Sequence, residues 1–152
     1  MIIRKAKIRD AEEICVLRRD TFEKINAKDY SFETVKALNE KSTIEGMIKK
    51  IKEREMFCLI DLDKKIAGVV DLEGNKIGGL FIRVDLIGKG YGKRLMNFIE
   101  DYARKNGIKQ AILFSTVYAE DFYRKLGYKL ISKKNNNGSE INYKEIKMEK
   151  EL

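Results

Sequence analysis

The chain has 152 residues, 43% of them hydrophobic, which suits one domain with a buried core and is too short for two. No apolar run approaches the roughly 18 residues that a transmembrane helix needs, and charges interrupt the N-terminal stretch MIIRKAKIRD. We therefore expect neither a membrane partner nor a secretory signal peptide. The net charge of +8 favours an anionic partner without selecting one.

Histidine is absent and there are only two cysteines, Cys15 and Cys58. This excludes histidine-based catalysis and leaves too few ligands for a structural zinc site, so no metal is expected. Both cysteines lie in apolar stretches, which is typical of buried, reduced thiols. Reduced thiols without an export signal predict a cytoplasmic protein.

The first elements are a strand and a helix. Residues 2–8 alternate between apolar and charged side chains, as in a strand. Asp10 and Glu13 have the spacing of a capping box, which predicts that a helix over 11–25 begins there.

Two more helices are expected before the middle of the chain. Ser31 is a candidate start for a short helix through Leu38, and Ser42 with Glu45 forms a second candidate capping box. An apolar stripe at helical spacing follows, made of Ile44, Met47, Ile48 and Ile51.

The apolar period then changes to that of strands. Residues 56–62, 65–72 and 76–84 are short and β-rich, and turn residues at 63–64 and 74–75 separate them. The pattern predicts an antiparallel meander.

The second half is predicted to hold a long helix, a buried strand, a short helix and two final strands. These elements cover 89–106, 109–115, 118–126, 128–133 and 142–149. Gly107 and Gly127 are candidate helix ends, and residues 135–139 are predicted to form a polar loop. The order of elements indicates a mixed sheet with helices packed on it.

A glycine-rich turn opens the long helix, with Gly88, Gly90 and Gly92 at alternate positions. Glycines let the backbone approach an anion, and a helix N-terminus offers unpaired N–H groups. Lys89, Lys93 and Arg94 add positive charge. A phosphate-binding turn is the natural interpretation, and a loop that is glycine-rich for packing alone remains the alternative.

Two nucleotide-binding motifs do not fit this turn. The dinucleotide fingerprint needs glycine at position 93, which is lysine. The P-loop needs glycine at position 87 and serine or threonine at position 94, which are isoleucine and arginine.

A second informative segment runs from Ala119 to Tyr128. Taken alone, Phe122 and Leu126 are core positions at helical spacing, and Tyr123 is a half-buried packing tyrosine.

Together, the two segments resemble the motifs of the GNAT N-acetyltransferase superfamily. That family shows a strand ending in L-x-V, then R/Q-x-x-G-x-G/A opening a helix, then A-x-x-F/L-Y-x-x-x-G-F. The matching stretches here are Leu80-Phe81-Ile82, Ile87 to Gly92, and Ala119 to Tyr128. The opening IIRKAKIRDAEEI is also similar, so the resemblance covers nearly the whole chain.

The resemblance implies one N-acetyltransferase-like domain over residues 1–152. Its fold class would be α/β (α+β), with a mixed, mostly antiparallel central sheet of about seven strands flanked by helices. Its activity would be direct transfer of an acetyl group from acetyl-CoA to a primary amine of a small molecule or protein. A homodimer is compatible with the resemblance, and no residue demands one.

The resemblance also implies roles for individual residues. The backbone N–H of Ile82 would stabilise the thioester oxyanion, and Tyr123 would protonate the departing thiolate. The implied cofactor-binding residues are Leu80, Phe81, Ile82, Ile87, Gly88, Lys89, Gly90, Tyr91, Gly92, Lys93, Arg94, Thr116 and Tyr123.

Three positions depart from the family pattern. Ile87 replaces Arg or Gln, Thr116 replaces a common Asn, and Val84 replaces a common Pro. Backbone amides do most of the phosphate binding in such a turn, so we expect weaker cofactor affinity rather than none.

The general base and the acceptor are left open. Asp71 and Glu73 are candidate bases, directly or through water, or else they are solvated charges at a strand end. A helical region usually lines the acceptor site in the family, and here it contains Phe22, Tyr30 and Phe32, which also suit a core. The net positive charge disfavours a polycationic acceptor unless the local pocket is acidic.

Two other classes of function remain as alternatives. A catalytically degenerate module that binds CoA or another phosphate ligand would explain Ile87. A nucleic-acid binder would explain the net charge, but the sequence has no arginine cluster or recognisable motif, so no nucleic-acid partner is expected.

Overall fold

A computed structural model describes residues 1–137 and 142–152. The strands are β1 Ile2–Lys5, β2 Glu55–Ile60, β3 Ile66–Glu73, β4 Lys76–Ile82, β5 Gln110–Ser115, β6 Lys129–Asn137 and β7 Asn142–Glu151. The helices are α1 Ala11–Lys24, α2 Phe32–Lys41, α3 Ile44–Glu53, α4 Tyr91–Lys105 and α5 Glu120–Lys125. In this part of the chain, no helix is long and apolar enough to cross a membrane.

The strands form one mixed sheet in the order β1-β2-β3-β4-β5-β7-β6. All neighbouring pairs are antiparallel except β4 and β5, which run parallel. The predicted meander is β2-β3-β4. The expected fold, a seven-stranded and mostly antiparallel sheet flanked by helices, is confirmed.

The two faces of the sheet bury separate apolar clusters. On β3, Val69 packs in the cluster that contains Ile14 of α1 and Met47 of α3. Its neighbour Val70 packs in the opposite cluster, with Leu95 of α4. Successive strand residues point to opposite faces, so both faces of β3 are covered by helices, and this explains its nearly unbroken apolar sequence.

Both predicted capping boxes are wrong. Asp10 is itself helical, and its carboxylate accepts the Lys7 N–H at 2.7 Å and pairs with Arg4 at 2.7 Å, so it does not cap α1. Thr43, one residue after Ser42, caps α3 by accepting the Gly46 N–H at 3.0 Å.

The first strand is shorter and the sixth strand is longer than predicted, and the cysteines are as predicted. β1 ends at Lys5 because the chain turns into a short 3₁₀ helix at Ile8–Asp10. Asn135 to Asn137 belong to β6 rather than to a loop, and the rest of that predicted loop lies outside the described residues. Both cysteines are buried and free, as predicted.

Candidate active site

A gap opens in the sheet between the parallel strands β4 and β5. They pair only at Lys76 and Ile112, beyond which the β4 edge that faces β5 has no strand partner in the described chain. The pairing of β4 with β3 shifts register between Val69 and Asp71, so β4 carries one extra residue there. Such a bulge bends and twists its strand, which accounts for the divergence from β5.

The exposed edge of β4 presents a backbone donor to this gap. The Arg83 N–H donates to the Ala67 carbonyl of β3 at 2.9 Å. Backbone N–H groups alternate between the two edges of an antiparallel strand. The N–H of Ile82, one residue earlier, therefore points away from β3 and towards the gap.

A cavity of about 760 Å³ fills the gap, a size within the usual range for a small-molecule site. It is lined by β4, the glycine-rich turn, the end of β5, and parts of α1 and α5. The implied cofactor residues that line it are Leu80, Phe81, Ile82, Ile87, Gly88, Gly90, Gly92, Lys93, Thr116 and Tyr123.

Three implied cofactor residues do not line this cavity. Arg94 points to the N-terminus, where its guanidinium donates to the Met1 carbonyl at 3.1 Å. Tyr91, the first residue of α4, packs against the core, and Lys89 is exposed.

The cavity also holds Lys125, which the sequence analysis missed. It lies two residues after Tyr123 in the segment already singled out. Only the packing of α5 against the gap shows that its side chain reaches the same cavity.

The glycine-rich turn is shaped as an anion cradle. Gly88 and Gly90 have φ angles of 81° and 87°, which side-chain-bearing residues rarely adopt, and a Cβ at either position would meet nothing within 4 Å. The first backbone bond at the start of α4 runs from Arg94 N–H to the Gly90 carbonyl at 3.1 Å. The Lys89 N–H donates to the Leu86 carbonyl at 3.3 Å, but in the described chain the N–H groups of Gly88 and of residues 90–93 have no backbone acceptor. They are available to a ligand, at the positive end of a 15-residue helix.

Arg83 fastens the start of this turn to the β2–β3 hairpin. Its guanidinium donates to Asp85 and to Asp61, at 2.8 and 2.7 Å. These hydrogen bonds raise the pKa of Arg83 and lower those of the two carboxyl groups. The turn is therefore held by charge-assisted contacts on the side away from the cavity.

Tyr123 is buried, with 8% of its surface exposed, rather than half-buried. Its ring packs edge-on against Phe122 and Tyr128, with centroids 5.1 and 5.9 Å away. Burial raises the pKa of Tyr123 above its ordinary value, so the hydroxyl keeps its proton at neutral pH. Within residues 1–137 and 142–152 that hydroxyl has no hydrogen-bond partner.

The two candidate bases have different surroundings. Asp71 is buried on the α1 side of the sheet, and its carboxylate lies 3.4 Å from Arg54. Burial raises the pKa of Asp71 despite the cations around it. The solvated-charge interpretation is therefore wrong for Asp71. It fits Glu73, which is exposed and pairs with Arg54 at 2.7 Å.

The aromatic residues assigned to the acceptor region separate into two places. Phe22 packs edge-on against Phe81, with ring centroids 5.6 Å apart, and both line the cavity. Tyr30 and Phe32 line a different groove between α1 and α2. In the chain as described, no group of three or more cysteine, aspartate or glutamate side chains is arranged to hold a metal.

Comparison with known proteins identifies the family. Residues 26–152 match the acetyltransferase (GNAT) domain, so the chain belongs to the GNAT acetyltransferases. No curated protein matches the chain in sequence.

Solved structures agree on the fold. The chain is similar to a GCN5-related N-acetyltransferase from Rhodopseudomonas palustris, with a TM-score of 0.91, 21% identity, and 99% and 95% of the two chains covered. It is similar to PaiA N-acetyltransferase from Thermoplasma acidophilum in complex with coenzyme A, with a TM-score of 0.80, 24% identity, and 99% and 98% covered. For apo YjaB from Escherichia coli the TM-score is 0.76, the identity 18%, and the coverage 98% and 97%.

Proposed function

We propose that this acetyltransferase moves the acetyl group of acetyl-CoA directly to a primary amine of a small molecule or protein. The observation that carries the proposal is the cavity between β4 and β5, which brings the glycine-rich turn, the free edge of β4 and Tyr123 together. The coenzyme A complex of the similar PaiA supports coenzyme A as the ligand of this cavity.

The pyrophosphate of acetyl-CoA would bind the free amides of Gly88 and of residues 90–93. The cradle is open, and the side chains of Lys93 and Lys125 in the same cavity add positive charge. The pantetheine arm would pair with the unpaired edge of β4. Ile87 supplies only apolar contact, so the backbone provides most of the affinity.

The reaction forms a C–N bond, breaks the C–S bond, and moves protons off the nitrogen and onto the sulfur. The amine nitrogen attacks the thioester carbonyl carbon, and the N–H of Ile82 stabilises the negative oxygen that forms. The C–S bond then breaks, and the hydroxyl of Tyr123 gives its proton to the sulfur. The new C–N nitrogen releases its extra proton to water, and Tyr123 takes up a proton from water.

The amine must lose its own proton before it attacks. Neither candidate carboxylate has a direct route to it, because Asp71 does not line the cavity and Glu73 is exposed. We assign this step to water.

Acetyl-CoA is expected to raise the melting temperature of the protein, while ATP and NAD in parallel samples are expected to leave it unchanged. At 100 times its Kd, a ligand that binds only the folded state adds about 2.7 kcal/mol, or about 5–10 °C for a chain of this size. Thermal-shift titration measures this. A shift with ATP or NAD alone would contradict the assignment of the turn.

The alternative of a binding module without catalysis is favoured by Ile87, which lines the cavity where the family has Arg or Gln. The two functions differ in one readout. A catalyst releases free thiol from acetyl-CoA when amines are added, whereas a binding module shows the thermal shift without that release.

Gly90→Ala is expected to weaken acetyl-CoA binding about tenfold, because a φ of 87° strains alanine by about 1–2 kcal/mol and the turn relaxes away from its binding shape. Isothermal titration of the variant measures the loss. Gly107→Ala is the matched control, since Gly107 has a φ of 80° and open space around it at the far end of α4. Equal affinity losses in both variants would contradict a role for the turn.

A further inference from the structure

A cluster of three cations lies on the α1–α3 side of the sheet, close to the cavity. It consists of Arg18 on α1, Lys50 on α3 and Arg54 just after α3, and we call it the basic cluster. Two carboxylates, Asp71 and Glu73, face it, and Arg54 forms ion pairs with both. The positive charge of the cluster thus exceeds the negative charge facing it by one.

Within the described residues, Arg54 is paired, whereas the side chains of Arg18 and Lys50 have no hydrogen bond or ion pair. In the described chain, the buried Nε–H of Arg18 has no hydrogen-bond acceptor, and its guanidinium forms no ion pair. Burial and the nearby charge of Arg54 lower the pKa of Arg18, and burial and Arg18 lower that of Lys50. A partly buried cation without an anion is unfavourable, and a bound anion would relieve this.

Arg18 does not itself line the cavity, but its guanidinium contacts two side chains that do. Its guanidinium carbon lies 5.0 Å from the ring centroid of Phe81 and 5.8 Å from that of Phe22. Both rings line the cavity, and so does Thr21, about one helical turn beyond Arg18. Contact with two aromatic rings limits the orientations of the guanidinium, so its donors are already arranged for a planar partner.

From these observations we infer that the acceptor amine also carries a carboxylate, which binds to Arg18. The inference rests on the proposed acetyl transfer. A guanidinium holds a carboxylate through two parallel hydrogen bonds, and a single negative charge balances the surplus of the basic cluster. Lys50 contributes attraction to the same anion. Polyamines have no such group and would be repelled.

The test is a panel of acceptor pairs that differ only in the carboxylate. The α-amino acids, and the ω-amino acids from glycine to 6-aminohexanoate, are each compared with the corresponding amide, and thiol release from saturating acetyl-CoA gives kcat/KM. We expect the preferred acid to exceed its amide at least tenfold. Equal values throughout the panel would overturn the inference.

Arg18→Gln removes the charge and keeps much of the side-chain length. It is expected to abolish the preference for the acid, mainly by raising KM, while Arg18→Lys restores part of it. Arg19→Gln is the matched control, because Arg19 is the next residue on α1 and lines the other groove. A loss of rate that is equal for acids and amides would overturn the inference. If Arg18→Gln does not fold, the acid-to-amide comparison on the unaltered protein decides alone.

A binding arm separates this inference from the proposed function. The same acids and amides are titrated against the protein saturated with coenzyme A, and melting temperature is the readout. If no amine is acetylated, acetyl transfer to amines fails. The carboxylate site is still supported if an acid raises the melting temperature of the unaltered protein, the corresponding amide does not, and the acid has no effect on the Arg18→Gln variant. If no acid raises it, the site is refuted.

Discussion

Tyr123→Phe is expected to lower kcat about 100-fold while the affinity for acetyl-CoA stays nearly constant. The substitution removes one buried hydroxyl and keeps the ring that packs against Phe122 and Tyr128. The thiolate then leaves without a positioned proton donor. Steady-state thiol release and isothermal titration with acetyl-CoA measure the two quantities separately.

Tyr118→Phe is the control, because Tyr118 lines the same cavity but is 51% exposed. This variant is expected to keep its kcat. An unchanged rate in Tyr123→Phe would remove the proton-donor role, and equal losses in both variants would indicate a general effect on the cavity.

The pH dependence of the same hydroxyl follows from its burial. Because the pKa of Tyr123 is raised, the group stays protonated in the folded protein at pH 10, where an ordinary tyrosine is half ionised. The rate is therefore not expected to fall through this group between pH 8 and about 10. In the unfolded chain the same tyrosine ionises near pH 10. The contribution of its raised pKa to the free energy of unfolding is therefore complete below pH 10 and is lost as the pH rises above 10.

Gly79→Ala is expected to lower the unfolding free energy by about 3 kcal/mol. Gly79 has a φ of 55°, and an added Cβ would collide with the carboxylate of Asp71. Relieving that collision moves the carboxylate away from Arg54 and disturbs a partly buried ion pair. Urea denaturation followed by circular dichroism measures the change.

Gly74→Ala separates strain from collision. Gly74 lies in the same β3–β4 hairpin with a φ of 60°, and a Cβ there would meet nothing within 4 Å. It is expected to lose only the backbone-strain part, about 1 kcal/mol. Equal losses for the two variants would mean that Asp71 moves aside freely.

Local patterns in the sequence were sufficient for most of the elements. The apolar periods predicted the meander and the long helix, and the two motifs predicted the family, because each depends on residues that are close in sequence. The first residues of the helices could not be assigned from local patterns alone. Ser42 and Thr43 both suit a cap, and only the path of the chain after α2 decides between them.

Features that depend on packing across the chain were not predictable. Asp71 is buried because α1 and α3 cover that face of β3, and the burial of a charged strand-end residue has no local sequence signal. In the sequence, nothing local distinguishes Arg18 from the adjacent Arg19. The lack of a polar partner for Arg18 becomes visible only when α1 is packed against Phe81.

The extra residue in β4 also determines which face of the sheet each later side chain of that strand points to. Ile77, before the bulge, packs on the α4 side, and so do Leu80 and Ile82 after it, while Phe81 faces α1. A strand that continued the earlier register would exchange the environments of Phe81 and Ile82, since a one-residue slip reverses every side chain. The N–H of Ile82 would then point towards β3, and the ring of Phe81 would face α4. One added residue thus gives the two halves of β4 different roles. The first half pairs with β5 at Lys76, and the second half presents the N–H of Ile82 to the cavity.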